Sequence, residues 1–260
     1  MRTGRVITSL IAVVVATGFA LQSPAPTAQL KSEQKADASF QQGIARIDGG
    51  WILSGTGVIA RVNEKLKVTK DFPAPIPRTF MRKGYRHVGD IDVVGKYIYA
   101  PLEQPNYELG DQVTARYDVK TLRFIDAVVL KQHENSFVTV DPKTMIAYSF
   151  DRFGGQALLR YDVRANFKPL DPLPMSAFVD KVQGGDVSGG FAWLSTSNPT
   201  NELYRVDLET GEVIDLGSAG HVPGEGEGID ATKLRSGRIH TLTVDPTRNP
   251  VWLGHFAIAG

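Results

Sequence analysis

The sequence predicts an all-β protein assembled from five copies of a four-stranded unit, and two observations carry that prediction. Beyond residue 40 no segment shows helical periodicity; short apolar runs alternate with turn residues instead. Those runs also repeat. Segments starting at Gln42, His87, Ser136, Gln183 and Glu227 each open with an apolar strand, and their starts lie about 44 to 50 residues apart. That spacing is one four-stranded blade, and a sandwich would not repeat at it. The expected architecture is therefore a β-propeller of four-stranded antiparallel sheets with five blades; six short blades would fit the same length.

The first 28 residues read as a signal peptide and cleavage region. Arg2 and Arg5 precede an apolar run from Val6 to Leu21, and a Pro- and Ala-rich stretch follows. Residues 29–39 are polar and charged and read as a disordered lead-in. Residues 40–260 form the single propeller domain. Its strand pairs are read at Gln42–Leu53, His87–Tyr99, Ser136–Tyr148 and Gln183–Leu194, then at Glu227–Thr232 with Arg238–Val244. The later strands of the blades match as well, at Val58–Asn63, Ala115–Phe124, Leu158–Val163 and Leu203–Val213. In several of them an Asp followed by polar turn residues marks the last hairpin of the blade. Either the lead-in near Ser39 or the C-terminal tail supplies the strand that closes the ring, which removes exposed sheet edges. Trp51, Trp193 and Trp252 are assigned to packing, and His240 and His255, in apolar strands, to the core.

Composition narrows the function classes. Of the 260 residues, 29 are basic and 28 acidic, a net charge of +1, so the basic face expected of a nucleic-acid-binding protein is not indicated. The chain has no cysteine, which excludes disulfides, thiolate nucleophiles and Cys-ligated metals. Gly224-Glu-Gly-Glu-Gly228 lacks the Lys and Ser/Thr of a phosphate loop and reads as a turn that presents Glu225 and Glu227. The expected product is a secreted monomer without stable membrane insertion once the signal is removed.

Propeller loops that enter the innermost strands converge at one mouth of the central channel. Each repeat places polar side chains there: Gln42, then Arg86, His87 and Asp90, then His133, Glu134 and Asn135, then Gln183 and Asp186, then Glu225 and Glu227. His87, Glu134 and Glu227 are the candidate catalytic groups, since imidazole and carboxyl groups exchange protons near neutral pH when their surroundings shift them. Gln42, Arg86, Asp90, His133, Gln183 and Glu225 are the candidate substrate-binding groups. Oxygen donors at Glu134, Asn135, Asp186 and Glu227 suit a hard cation such as Ca2+.

In this strand pattern, in the Val-Asp-Pro-Lys-Thr144 and Val-Asp-Leu-Glu-Thr-Gly211 turns and in the polar inner-strand entries, the chain resembles secreted gluconolactonase-like, paraoxonase-like and strictosidine-synthase-like propellers. The resemblance implies a central calcium held by Glu, Asn and Asp side chains, positions that only Glu134, Asn135, Asp186 and Glu227 match. The expected function is metal-assisted hydrolysis of a small ester or lactone. A non-catalytic propeller that binds a sugar or a protein and a glycosidase using Asp90, Glu134 and Glu227 are the alternatives.

Overall fold

The structure, a computed structural model, describes residues 25–151, 156–219, 224–232, 237–245, 247 and 250–259. Most of the signal-peptide region, residues 1–24, lies outside the described residues. The described chain opens with β1 (Thr27–Ala36). Blade 1 follows as β2 (Gly43–Ile47), β3 (Gly50–Gly55), β4 (Val58–Asn63) and β5 (Val68–Pro73). A four-residue helix, α1 (Arg78–Met81), leads to blade 2, whose inner strand is split into β6 (His87–Val88) and β7 (Asp92–Val94). It continues with β8 (Tyr97–Glu103), β9 (Val113–Asp118) and β10 (Phe124–Val129). Blade 3 is β11 (Thr139–Val140), β12 (Ile146–Phe150), β13 (Ala157–Asp162) and β14 (Lys168–Pro174). Blade 4 is β15 (Val182–Ser188), β16 (Phe191–Thr196), β17 (Glu202–Asp207) and β18 (Val213–Ser218). Blade 5 takes three strands from the C-terminal end, β19 (Glu225–Asp230), β20 (Arg238–Val244) and β21 (Val251–Ala259), and its outermost strand is β1. Five antiparallel sheets make a five-bladed propeller.

The ring is therefore closed by the N-terminal end. Residues 29–39, expected as a disordered lead-in, hold most of a strand that pairs with β21 from Thr27↔Ala259 to Ala36↔Val251. Polarity does not prevent this, because an outermost strand needs backbone partners on one side and tolerates water on both faces. Only Ala36 of β1 is buried. Turn chemistry behaves as read from sequence: Asp118 accepts from Thr121 N at 2.7 Å, and Asp207 from Glu209 N and Thr210 N at 2.8 Å, closing the last hairpins of blades 2 and 4.

Apolar side chains from adjoining sheets form the core between blades. Ile52, Ile59, Val88, Ile98 and Leu102 join blades 1 and 2; Phe137, Phe150, Val187 and Leu194 join blades 3 and 4. Trp51 and Trp193 are buried, as expected of packing residues. Trp51 lies edge-on to His240 with ring centroids 4.8 Å apart, and the Arg46 guanidinium sits 4.3 Å from its centroid. His240 pairs with His255 through their Nδ1 atoms at 2.7 Å, and burial together with His255 lowers the His240 pKa to about 3. His240 is a core histidine; His255 is half-buried and lies 3.1 Å through Nε2 from Gln34 Nε2 of the outermost strand.

Candidate functional site

The inner strands align in register around the axis, and the site is best described as three successive rows. The lowest row is Ala45, Asp92, Thr139, Asp186 and Asp230, one residue per blade. Its polar members fasten each blade to the next through a backbone N–H: Asp92 Oδ2 accepts from Val140 N at 2.7 Å, Thr139 Oγ1 from Val187 N at 2.9 Å, Asp186 Oδ2 from Ala231 N, and Asp230 Oδ2 from Arg46 N at 2.7 Å. Ala45 has no side-chain acceptor, so the junction of blades 1 and 2 lacks this bond. Burial pushes Asp92 and Asp230 up to about 6, and Asp186 is raised further by its carboxylate neighbours. Asp92 and Asp186 form part of the floor of a cavity of about 550 Å3 that opens on the side of the β11–β12 and β15–β16 turns.

The middle row is Gly43, Asp90, Phe137, Gly184 and Gly228. Asp90, on blade 2, reaches across the axis: Oδ1 accepts from Ile44 N and Ile91 N at 3.0 and 2.9 Å, and Oδ2 from Gly185 N and Ile229 N at 3.0 and 3.2 Å. One carboxyl thus binds blades 1, 2, 4 and 5. The glycines make room for it, since a Cβ at Gly184 or Gly228 would stand 2.8 or 2.5 Å from its oxygens. Phe137 fills the remaining side against Gly185. Together Asp90 and Phe137 fill the axis at this level. Burial pushes the Asp90 pKa up, and the four N–H donors work against that shift.

One residue before the middle row, on the loop side, stand Gln42, Gly89, Ser136, Gln183 and Glu227, the upper row. The strands are irregular here: β15 carries a bulge at Gln183, β19 one spanning Glu227, and the inner strand of blade 2 breaks at residues 89–91. Bulges re-aim side chains and interrupt the ladder, here at Gln183 and Glu227. Glu227 is 5% exposed, and no described residue donates a hydrogen bond to its carboxyl. Burial first, then Glu225 and Asp90, raise its pKa well above the usual carboxylate range. His87, half-buried, contacts Gln42 Oε1 through Nε2 and has Nδ1 3.9 Å from Glu103 Oε2; burial lowers its pKa and keeps the ring neutral.

The structure brings some expected residues together and disperses others. Gln42 meets His87, and its main-chain carbonyl accepts from Gly228 N at 2.8 Å, next in the chain to buried Glu227; Gln183 is half-buried and Glu225 exposed. Asp90 is 1% exposed and occupied by backbone amides. Arg86 is exposed and turned to the main-chain oxygens of Met81 and Tyr85. His133 lies at the surface against Asp151, at 3.2 Å, and Glu134 is half-buried in the same loop. Asn135 Nδ2 donates to Val113 O at 2.9 Å, and its Oδ1 accepts from Gln132 Nε2 and Ser149 Oγ at 3.2 and 3.0 Å. Asp186 lies three residues below the Gln183 position, about 10 Å along the strand. The four positions expected to hold calcium are thus not gathered: one amide is engaged, and one carboxylate faces the opposite cavity. Glu103 escaped the reading because it ends a second strand rather than entering a first one. It is buried, and Oε1 accepts from Asn135 N at 2.6 Å. A lone charge closing the apolar run Tyr97–Leu102 was the available signal.

No family model and no curated protein matches this chain. Solved structures do. A glutaminyl cyclase from Myxococcus xanthus superposes with a TM-score of 0.69 at 12% identity, over 92% of this chain and 100% of its own. A luciferin-regenerating enzyme superposes with a TM-score of 0.54 at 11% identity, over 85% of this chain and 78% of its own. At such identities the likeness is one of fold: this chain is a five-bladed β-propeller, an architecture that enzymes use.

Proposed function

We propose that the chain is a hydrolase of small carboxylic acid derivatives, with esters and lactones the first to test, acting at Glu227 near the loop end of the inner strands. The observation that carries this reading is Glu227, a buried carboxyl at the loop end of an inner strand that no described residue hydrogen-bonds. Such a carboxyl holds its proton to higher pH than an ordinary one and can give it to a leaving oxygen; neutral His87 can take a proton from water. Water adds to the carbonyl carbon as its proton passes to His87. The carbon–oxygen bond then breaks, and the leaving alkoxide takes the proton from Glu227. Solvent returns both groups to their starting states. The residues expected to hold calcium do not fit one ion as placed, so no step passes through a metal.

The same reading takes residues 1–28 as an export signal. Cleavage after Ala20 would leave β1 whole, and N-terminal sequencing of chain recovered from the culture medium tests it. The activity is tested by a panel of lactones, aryl esters and small amides, followed by Glu227→Gln. Removing the proton donor should lower kcat about 10²–10⁴-fold with the fold unchanged. Turnover unaffected by the substitution would exclude this role for Glu227. Ligand binding without turnover across the panel would favour a binding module.

A further inference from the structure

The cavity at the other end of the axis has no part in the hydrolase reading. Its volume is about 550 Å3, and both Asp92 and Asp186 line it. Most of its wall is apolar, with Val93, Val94, Val140, Pro142 and Val187 among the lining residues. Asp90 and Phe137 fill the axis between this level and that of Glu227.

The two carboxyls are buried, 5% and 4% exposed, and they are short of donors. Asp92 Oδ2 accepts from Val140 N at 2.7 Å, the adjacent Val93 N–H also serves Asp92, and Asp186 Oδ2 accepts from Ala231 N. Thr139 Oγ1 stands 3.1 Å from Asp92 Oδ2 and 3.3 Å from Asp186 Oδ1, but it has a single hydrogen for the two. When that hydrogen turns to Asp92, Asp186 Oδ1 has no donor among the described residues. Nor is either carboxyl ion-paired among the described residues, while Asp90 and Asp230 add negative charge close to Asp186. Lys143 and Asp141 both line the cavity, and their charges offset each other. Buried carboxyls without a counter-charge keep their protons or take up a cation.

The wall decides which cation fits. A hard metal ion asks for six or more oxygens, and among the described residues no three metal-ligating side chains are gathered. An ammonium instead brings three N–H donors to oxygens that lack them, and the valines and Pro142 suit a hydrocarbon body. A few polar groups in an apolar wall are the usual make-up of a small-molecule pocket.

We propose that this cavity binds a small organic amine, with its ammonium on Asp92 and Asp186 and its apolar body against the valines and Pro142. The proposal is independent of the hydrolase reading.

The test uses benzylamine and its neutral counterpart of nearly the same shape, benzyl alcohol, titrated into the full chain at neutral pH and followed by ligand-observed NMR. The amine should bind about tenfold or more tightly than the alcohol, because hydrogen bonds from a cation to a carboxylate are about twice as strong as neutral ones. Asp92→Asn and Asp186→Asn each keep an oxygen acceptor and should weaken the amine about tenfold while leaving the alcohol unchanged; thermal melts establish that both variants fold. Glu227→Gln should leave the amine affinity as it is. Equal binding of the two probes, failure of the amine to bind at millimolar concentration, or a preference that survives both Asp substitutions would each overturn the proposal. So would loss of amine binding in Glu227→Gln, which would place the amine elsewhere, or displacement of the amine by Ca2+, which would make this an inorganic cation site. The comparison of the two probes on the unaltered chain decides even if a variant does not fold.

Discussion

Replacing Asp90 by Asn tests the central claim about the axis, because it alters hydrogen bonding and charge with almost no change of shape. The carboxyl accepts four buried N–H groups, two on each oxygen, at 2.9–3.2 Å. An Asn amide can accept only on its oxygen. Whichever way it is turned, its NH2 faces two N–H groups, either those of Gly185 and Ile229 or those of Ile44 and Ile91. Each stranded buried donor costs about 1–3 kcal/mol. Against this, a neutral amide avoids the desolvation that pushes the Asp90 pKa up. The net expectation is a loss of about 2–4 kcal/mol, which in a chain of this size lowers Tm by about 5–15 °C. Urea denaturation followed by tryptophan fluorescence measures it, with an unchanged m value showing that the same surface unfolds. A loss under about 0.5 kcal/mol would mean that an amide serves as well, and the account of Asp90 as a four-way acceptor would be wrong.

Gly184→Ala should cost about 1–3 kcal/mol in the same assay, because its Cβ would stand 2.6 Å from the Glu227 carbonyl oxygen and 2.8 Å from Asp90 Oδ2. Gly57→Ala, with nothing within 4 Å, should change stability by less than about 0.5 kcal/mol. Ala45→Thr should add about 0.5–1.5 kcal/mol by supplying the acceptor missing between blades 1 and 2, as Thr139 does between blades 3 and 4; a destabilised variant would show that Val93 N is not within reach. Asp92 is raised from 3.8 to about 6, so the folded chain binds its proton more tightly than the unfolded one. Its contribution is complete below about pH 4 and is lost as pH rises through 6. Asp92→Asn keeps the acceptor without the titration and should lessen the fall in stability between pH 4 and 7 by about 1–3 kcal/mol. Parallel pH–stability curves for the two proteins would contradict the shift.

Much of this architecture is legible in the residues because a blade is a local object. Hairpins joined by short turns write their period into the chain, and Asx turns such as those at Asp118 and Asp207 depend on neighbours two or three residues away. The burial of Trp51 and Trp193 follows from apolar strands that face other blades. The closing strand was legible only as one of two alternatives, the lead-in near Ser39 or the C-terminal tail: β1 has the composition of a disordered segment, and only its ladder with β21, at the far end of the chain, makes it ordered. The same holds for the site. Polar residues at the inner-strand entries could be counted along the sequence, but not sorted. Asp90 is a structural acceptor because of amides 46, 95 and 139 residues away, and Asn135 is engaged by Val113, Gln132 and Ser149. Glu227 is the opposite case, a carboxyl set at a bulge where no described residue donates to it. Sequence by itself determined the repeat, the strands and the turns, whose interactions are short-range. Tertiary structure decided which carboxyls are engaged by backbone amides and which have no donor among the described residues, because burial and long-range donors exist only once the ring has closed.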